Sequence, residues 1–321
     1  MENSFAKNPQ VKQPTVQKRF VKLMGSQFDI TVVADTTALA NDYIDLAIDE
    51  IIRIENLISE WNPATQLSAV NQNAGIQPVK VDQELFDLTA RAVSFSKITD
   101  GAFDISFAAA AKIWKFDGSV TELPSEEAVK ESTKNIGYQN IILDWENQTI
   151  FLKNTGMKIG FGSIGKGYAA DMAKKLLISK GVFAGIINAS GDMNSWGTQP
   201  DGMPWTIGIT NPLNKEQTFA HFPLNDSAVA TSGIYEKFLT IDGKRYSHII
   251  DPRTGYPSTG ISSVTVFAKS AELGNGLSTS MVVMGIEAGL DLINQVLGVS
   301  AVIIDDSGKI YYSDNIEINR K

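Results

Sequence analysis

The sequence predicts an α+β fold with mainly antiparallel sheets and packed helices. Long segments with apolar residues at helical spacing mix with many short strand-like segments. The strict strand–helix alternation that is typical of a doubly wound parallel sheet is missing from the pattern. The chain has 321 residues, of which 43% are hydrophobic, enough to bury a large core. We therefore expect one domain over residues 19–321, built as two intimate lobes.

The first half of the chain combines a polar start with amphipathic helices. Residues 1–18 are polar, contain two prolines and lack periodicity, which predicts a disordered leader or linker. Residues 28–33 alternate and predict a strand. Residues 39–61 and 83–96 carry apolar side chains on one helical face, and each predicts a helix. A short charged helix is expected to begin at Pro124.

The second half is richer in strands. A hairpin is expected at 140–144 and 149–153, followed by a short strand at 158–161 and a helix at 168–179. The remaining pattern predicts strands at 184–188, 205–210, 228–231, 237–241 and 262–267, helices at 276–284 and 286–296, and a closing hairpin over 302–312.

Composition excludes several classes of function. The formal net charge is −8, from 28 basic and 36 acidic residues, which argues against nucleic acid as the main partner. The chain has no cysteine, so disulfides, thiolate metal sites and a cysteine nucleophile are excluded. It also has no apolar run of about 18 residues, so no membrane-spanning segment is predicted.

The densest chemistry lies in residues 248–257, read as HIIDPRTGYP. His248 is one of only two histidines in the chain. It is followed by Asp251 and Arg253 on a turn bounded by Pro252 and Pro257. A base, an acid and further hydrogen-bonding groups on one loop favour a functional site, because loops on a rigid scaffold often carry catalytic residues.

A glycine-rich segment covers residues 160–167, read as GFGSIGKG, and leads into a predicted helix. Glycines let backbone N–H groups approach an anion, and the N-terminus of a helix attracts phosphate. The spacing matches neither the Walker nor the Rossmann pattern. A tight strand-to-helix turn explains the glycines equally well, and Lys166 favours the anion site.

Four weaker motifs have both a structural and a functional interpretation. Residues 188–192 follow an apolar strand, and a structural turn is as plausible there as a ligand site. Thr231 and Ser232 could donate to a phosphate, although the local pattern favours a simple Ser/Thr turn. Asn275 and Thr279 share a helical face and could bind Mg²⁺ with a third oxygen ligand. Trp61 could stack on a planar ligand together with residues 101–104, although such a tryptophan is usually part of the core.

The order of these motifs resembles that of the ApbE-type flavin transferases. The resemblance covers roughly residues 21–312. It is carried by the segments LMGS (23–26), ISEW (58–61) with LSAVN (67–71), GAFD (101–104), residues 162–171, residues 188–192, TSG (231–233) with Tyr235, residues 248–257 and residues 277–285.

This resemblance implies an ApbE-like, T-fold-related architecture and an activity. Such enzymes require Mg²⁺, cleave FAD, release AMP and attach FMN through a phosphoester to a Thr or Ser of a target protein. The expected partner is an acceptor flavoprotein, a subunit of a redox pump or another exported protein. The expected location is the periplasmic face of the membrane, with a lipid anchor in the native form.

The resemblance also implies roles for particular residues. Ser163, through its carbonyl, and Asn275 and Thr279 are the expected metal ligands. His248 is the expected base for the acceptor hydroxyl, with Asp251 supporting it. The expected cofactor-binding residues are Met24, Trp61, Ala102, Phe103, Asp104, Gly160, Lys166, Thr231, Ser232 and Ile250.

Two residues depart from the pattern of these enzymes, in which Asp is common at the positions of Gly160 and Asn275. An amide oxygen can bind Mg²⁺ but brings no charge, so weaker metal binding is expected. An FAD pyrophosphatase that yields FMN and AMP, or a non-catalytic FAD-binding protein, therefore remains an alternative function.

Overall fold

A computed structural model describes residues 14–110, 112–116, 122–211, 214–233, 238–241 and 244–316. The described residues form strands and helices in irregular order. In chain order the strands are β1 (Thr15–Leu23), β2 (Ser26–Ala34), β3 (Val79–Lys80), β4 (Ile141–Asp144), β5 (Thr149–Leu152), β6 (Ala184–Ala189), β7 (Asp192–Trp196), β8 (Trp205–Asn211), β9 (Asn214–Leu224), β10 (Ala228–Gly233), β11 (Phe238–Ile241), β12 (Lys244–Ser247), β13 (Ile261–Ala268), β14 (Ser300–Asp305) and β15 (Ile310–Tyr312).

The helices range from amphipathic to mostly buried, and the one at Ala271–Met284 is the most buried of them. They are α1 (Thr37–Ile58), α2 (Gln66–Gln72), α3 (Gln83–Ile98), α4 (Glu126–Thr133), α5 (Gly165–Ser179), α6 (Ala271–Met284) and α7 (Ile286–Asn294), with 3₁₀ turns at Ile105–Ala109 and Tyr138–Asn140. None of them, within the described ranges, is long and apolar enough to cross a membrane.

An eight-stranded sheet dominates the molecule, in the order β1-β2-β6-β7-β10-β13-β14-β15. Every pair in it is antiparallel. Two-stranded ladders join β8 to β9 and β11 to β12, and β3, β5 and β4 form a third small sheet. The predicted α+β class with mainly antiparallel sheets is therefore confirmed.

Three helices cover the large sheet and create most of the core. Contacts join α1 to β1 and β2, α5 to β6 and β7, and α6 to β10 and β13. The apolar residues of α1 recur every three or four positions, and Ile44, Ile51 and Ile54 have no exposed surface. A separate small cluster of Trp114, Val129, Leu239 and Ile241 lies beneath the loop that follows β12.

Two sequence predictions are corrected. The predicted leader at 1–18 extends too far, because β1 begins at Thr15 and pairs with β2 from Thr15↔Ala34 to Leu23↔Ser26. Its alternation was masked by polar side chains on an edge strand. The predicted strand at 158–161 does not form. Its backbone instead bonds to a side chain, since Asn71 accepts from the N–H of Ile159 and donates to the carbonyl of the same residue.

Candidate active site

A cavity of about 760 Å³ opens where the ends of β6, β7 and β10 meet α5, α6 and the loop after β12. Residues from widely separated parts of the chain form its walls. Those named from the sequence are Ala102, Phe103, Asp104, Ser163, Lys166, Thr231, Ser232, His248, Ile250, Asn275 and Thr279. The structure thus brings together eleven of the fifteen predicted site residues.

His248 is exposed to this cavity and follows directly after β12. Its ring meets the ring of Phe116 edge to face, with 6.5 Å between centroids. The loop beyond it folds back on itself, because the N–H of Asp251 donates to Tyr256 O at 2.9 Å and the N–H of Ser258 donates to Ile249 O at 2.9 Å. The backbone on both sides of the histidine is therefore held in place.

Asp251 lies beside the cavity rather than in its wall. Its carboxylate accepts from the guanidinium of Arg253 at 2.9 and 2.8 Å and from the backbone N–H of Arg253 at 2.9 Å. These bonds close the turn at Pro252. The geometry lets Asp251 support His248 by shaping the loop, and its role in the reaction stays a prediction.

Buried groups anchor the loop from below. The indole N–H of Trp114 donates to Gly255 O at 2.8 Å. Gly255 has φ +77°, and a Cβ there would lie 2.9 Å from Val129 Cγ1 of α4. Only glycine fits this left-handed, closely packed position.

The glycines of the glycine-rich segment have two structural roles: some allow close packing and one lines the cavity. A Cβ on Gly165 would lie 2.5 Å from Ile58 Cδ1, and one on Gly167 would lie 2.6 Å from Ala271 O, so these glycines allow close packing of α5. Gly162 lines the cavity, and no described atom lies within 4 Å of the position of its Cβ. The tight-turn interpretation thus holds for Gly165 and Gly167, whereas Gly162 leaves room for a ligand.

Lys166 points into the cavity and pairs with Asp192, the first residue of β7, at 2.6 Å. Burial raises the pKa of the Asp192 carboxyl above its ordinary value, and the ammonium of Lys166 opposes that rise. The motif at residues 188–192 therefore does more than form a turn, because it delivers the carboxylate that positions the lysine.

Asn275 and Thr279 lie one turn apart on α6 and face the cavity. Asn275 is buried, and its Oδ1 has no hydrogen-bond partner among the described residues. Hydroxyl contacts tie α6 to β10, with Ser232 Oγ 2.8 Å from Ser278 Oγ and 3.2 Å from Thr279 Oγ1. An orphaned buried amide oxygen beside a hydroxyl suits a cation that prefers oxygen ligands.

Asp104 forms part of the opposite wall. Its carboxylate accepts from Ser106 N at 2.8 Å and from Tyr138 N at 2.8 Å, and so caps the 3₁₀ turn that follows. Burial raises the pKa of Asp104, although these hydrogen bonds oppose the rise. Ala102 and Phe103 precede it as small and apolar parts of the wall.

Two of the other three predicted cofactor residues lie in a neighbouring cavity. Met24 and Trp61 line an adjoining cavity of about 470 Å³, which shares Ser26, Gly162 and Lys166 with the first. Trp61 is 77% exposed, so it is not part of the core. Gly160 is buried and lines neither cavity, and Tyr235 lies outside the described residues.

Sequence reasoning overlooked several residues that shape the site. Trp114 and Phe116 support the histidine loop from more than 130 positions away, a contact that no local pattern reveals. Glu60 lies in the segment ISEW but was given no role. In the sequence, its position next to Trp61 at the end of a predicted helix is the one indication that it lies near the site.

Comparisons with known proteins agree with this geometry. The model of the ApbE family matches residues 24–303. A Klebsiella pneumoniae protein named FAD:protein FMN transferase is 30% identical over 293 residues, which cover 91% of this chain and 90% of that protein.

Solved structures share the fold. The crystal structure of the ApbE protein of Thermotoga maritima has a TM-score of 0.84 at 30% identity and covers 94% of this chain and 97% of that one. The apo flavinyl transferase ApbE of Pseudomonas stutzeri has a TM-score of 0.83 at 26% identity, with 95% and 96% covered. The chain therefore belongs to the ApbE family, a family of transferases.

Proposed function

We propose that this protein transfers FMN from FAD to a Thr or Ser hydroxyl of a target protein and releases AMP. The main observation behind this proposal is one cavity that brings together His248, Lys166 and the unpaired amide oxygen of Asn275. The name of its relatives, FAD:protein FMN transferase, supports the same reaction. Together with the adjoining cavity, there is room for a dinucleotide.

In the proposed reaction the acceptor oxygen attacks the phosphorus of the FMN half. The bond from that phosphorus to the bridging oxygen breaks, and AMP leaves with the bridging oxygen. His248 takes the proton of the hydroxyl, because Thr and Ser are weak nucleophiles until a base removes it. Histidine titrates near neutral pH and so serves as that base under ordinary conditions.

Lys166 is proposed to face the pyrophosphate. Its ammonium stabilises negative charge that builds up on the leaving phosphate. Asp192 holds the ammonium at the cavity wall before substrate arrives. The N-terminus of α5 at Gly165 adds backbone N–H groups that favour an anion.

The oxygen groups on α6 fit Mg²⁺. Asn275 Oδ1, the Thr279 hydroxyl and the Ser163 carbonyl would hold the ion, and all three are neutral. No cluster of three His, Cys, Asp or Glu side chains suited to a metal occurs in the described ranges. The phosphates of the substrate would supply the missing negative charge. When bound, the ion neutralises charge on the phosphates.

The proposed partner is an acceptor flavoprotein that presents a Thr or Ser. We propose that the native protein meets it outside the cytoplasm, anchored by lipid at the membrane face. Fractionation of the source cells, with an antibody to this chain, would test that location.

The reaction is tested with the purified chain, FAD, Mg²⁺ and a set of acceptor domains carrying Thr or Ser. Mass spectrometry should find the mass of one FMN added to the acceptor, and AMP should appear in equal amount. His248→Ala should lower the rate at least 100-fold. His221→Ala is the matched control, because His221 is the other histidine and lies exposed on β9.

Two outcomes would contradict this function. Free FMN and AMP without an adduct on any acceptor would indicate a pyrophosphatase. FAD that is bound but unchanged over hours would indicate a carrier.

A further inference from the structure

Glu60 lies two residues beyond the C-terminal end of α1, between two cavities beside the main one. It lines the 470 Å³ cavity with Met24 and Trp61. It also lines a second adjoining cavity of about 720 Å³, whose wall includes Ile250. A ligand that extended from the main cavity into either adjoining cavity would therefore pass Glu60.

The carboxylate of Glu60 has no hydrogen-bond or ion-pair partner in the part of the chain that the structure describes. It is nevertheless partly buried, and burial raises its pKa, while the charges of Lys112 and Lys158 oppose that rise. Lys112 also lies over the ring of Trp61, with its Nζ 5.2 Å from the centroid. The two lysines thus favour the ionised form of this carboxylate, and none of the described groups donates a hydrogen bond to it.

Gly160 gives the carboxylate its space. A Cβ on Gly160 would lie 3.0 Å from Glu60 Oε2 and 3.0 Å from Ala108 Cβ, closer than ordinary contacts. The Glu60 oxygen therefore lies where a side chain at position 160 would be. Position 160 is also where the resemblance leads one to expect Asp. In this chain the carboxylate comes from the end of α1 instead.

We propose that Glu60 is a binding residue for the flavin dinucleotide, accepting a hydrogen bond from one of its hydroxyl or ring N–H groups. This proposal rests on the proposed function for the identity of the nucleotide. The role is in binding, because His248 and Lys166 already supply the groups that the reaction needs.

The first test compares FAD binding by the parent chain, Glu60→Gln and the control Glu287→Gln, which is exposed on α7. Flavin fluorescence gives the Kd, and thermal melting without FAD reports folding. Gln keeps an acceptor oxygen but removes its charge, and a hydrogen bond to a charged group is roughly twice as strong as a neutral one, so the Kd should rise roughly tenfold for Glu60→Gln. The melting temperature should not change, because no described group bonds to this carboxylate.

The second test moves the carboxylate. Gly160→Asp alone should weaken binding, because its side chain crowds Glu60. In a Glu60→Ala background, Gly160→Asp should bind FAD more tightly than Glu60→Ala does, because a carboxylate returns to the same space. A Glu60→Gln variant with the parent Kd would contradict the proposal, and so would a double variant that melts at the same temperature as Glu60→Ala yet binds FAD no more tightly.

Binding and transfer are measured separately, so the two proposals can fail independently. A parent chain that transfers FMN while Glu60→Gln binds FAD normally overturns only the role of Glu60. A chain whose FAD binding depends on Glu60 but which forms no adduct overturns only the proposed transfer.

Discussion

Asn275 has a buried amide oxygen that accepts no hydrogen bond from any described group. A buried polar atom without a partner costs free energy, commonly about 1–3 kcal/mol. Such a cost is offset when a ligand completes the site. The proposed metal therefore binds to a position that the fold leaves polar but uncharged.

Replacement of Asn275 by Asp should strengthen Mg²⁺ binding, because a carboxylate adds a negative charge to a neutral ligand set. We expect the Mg²⁺ concentration for half-maximal transfer to fall by about tenfold, equivalent to roughly 1.4 kcal/mol. Titration of Mg²⁺ at fixed FAD measures the change. Asn154→Asp, on an exposed turn, adds the same charge elsewhere and serves as the control. An unchanged midpoint would show that Asn275 is not a ligand.

Single site residues were predictable where the residue type is rare in the chain or where several polar and charged residues lie close together in the sequence. His248 was found because the chain has two histidines and one of them stands beside Asp251 and Arg253. Glu60 was not found, because glutamates are common and its distinguishing feature is the space left by Gly160, 100 positions away. A contact of this kind depends on tertiary packing, which local sequence does not encode.

At the scale of elements, the junction of α5 and α6 fixes the cavity. Asp171 on α5 accepts from Ala271 N at 2.8 Å and Glu272 N at 2.9 Å, the first N–H groups of α6. Gly167 allows the two helices to approach closely. Because this junction fixes the two helices relative to each other, it also fixes the distance between Lys166 on α5 and Asn275 on α6.

Burial raises the pKa of Asp171 to about 6, although its hydrogen bonds oppose the rise. Between about pH 3.9, the ordinary pKa of aspartate, and about pH 6, Asp171 therefore keeps its proton in the folded state but has lost it in the unfolded chain. Stability from this group is present at low pH and is lost as pH rises through about 6. As the pH falls from 7 to 4.5, we expect the free energy of unfolding of the parent to rise by about 2 kcal/mol relative to that of Asp171→Asn.

Urea unfolding of both chains at the two pH values measures that gain, and other carboxylates cancel in the comparison. Asp291→Asn, outside this junction, should show no such pH-dependent difference. A parent–variant difference that stays constant with pH would mean that Asp171 keeps an ordinary pKa.

Elements were predictable where one face is clearly apolar. The helices α1, α3 and α5 were located from spacing alone, with ends that differ by a few residues. The strand predicted at 158–161 failed because the segment satisfies its backbone with Asn71 and not with a neighbouring strand. The strand β9 was missed, since polar residues hide the alternation of a hairpin.

At the scale of the whole molecule, the site is assembled from segments near both ends of the chain. Ser26 and Thr279 line one cavity although more than 250 residues separate them. The fold class was predictable from the mixture of elements. The shape of the cavity was not, because it depends on the order of strands in the sheet, in which β2 lies beside β6.

Because FAD is expected to contact only the assembled cavity, it should stabilise the folded chain by mass action. At a free concentration 100 times its Kd, the expected gain is about 2.7 kcal/mol. This corresponds to a rise of roughly 5 °C in melting temperature. Calorimetry over a range of FAD concentrations measures the rise, which should shrink as FAD is diluted. A melting temperature independent of FAD would contradict binding to the native state.

The loop of His248 rests on the small cluster of Trp114, Val129, Leu239 and Ile241, apart from the large core. A few side chains bury much less apolar area than the eight-stranded sheet does, so this region can open at a lower free energy than the global transition. On warming, we expect this loop and His248 to lose their order before the sheet and the groups on α5 and α6 do. If the proposed roles are right, FMN transfer should therefore fail at a lower temperature than global unfolding, which activity and melting curves recorded side by side would show.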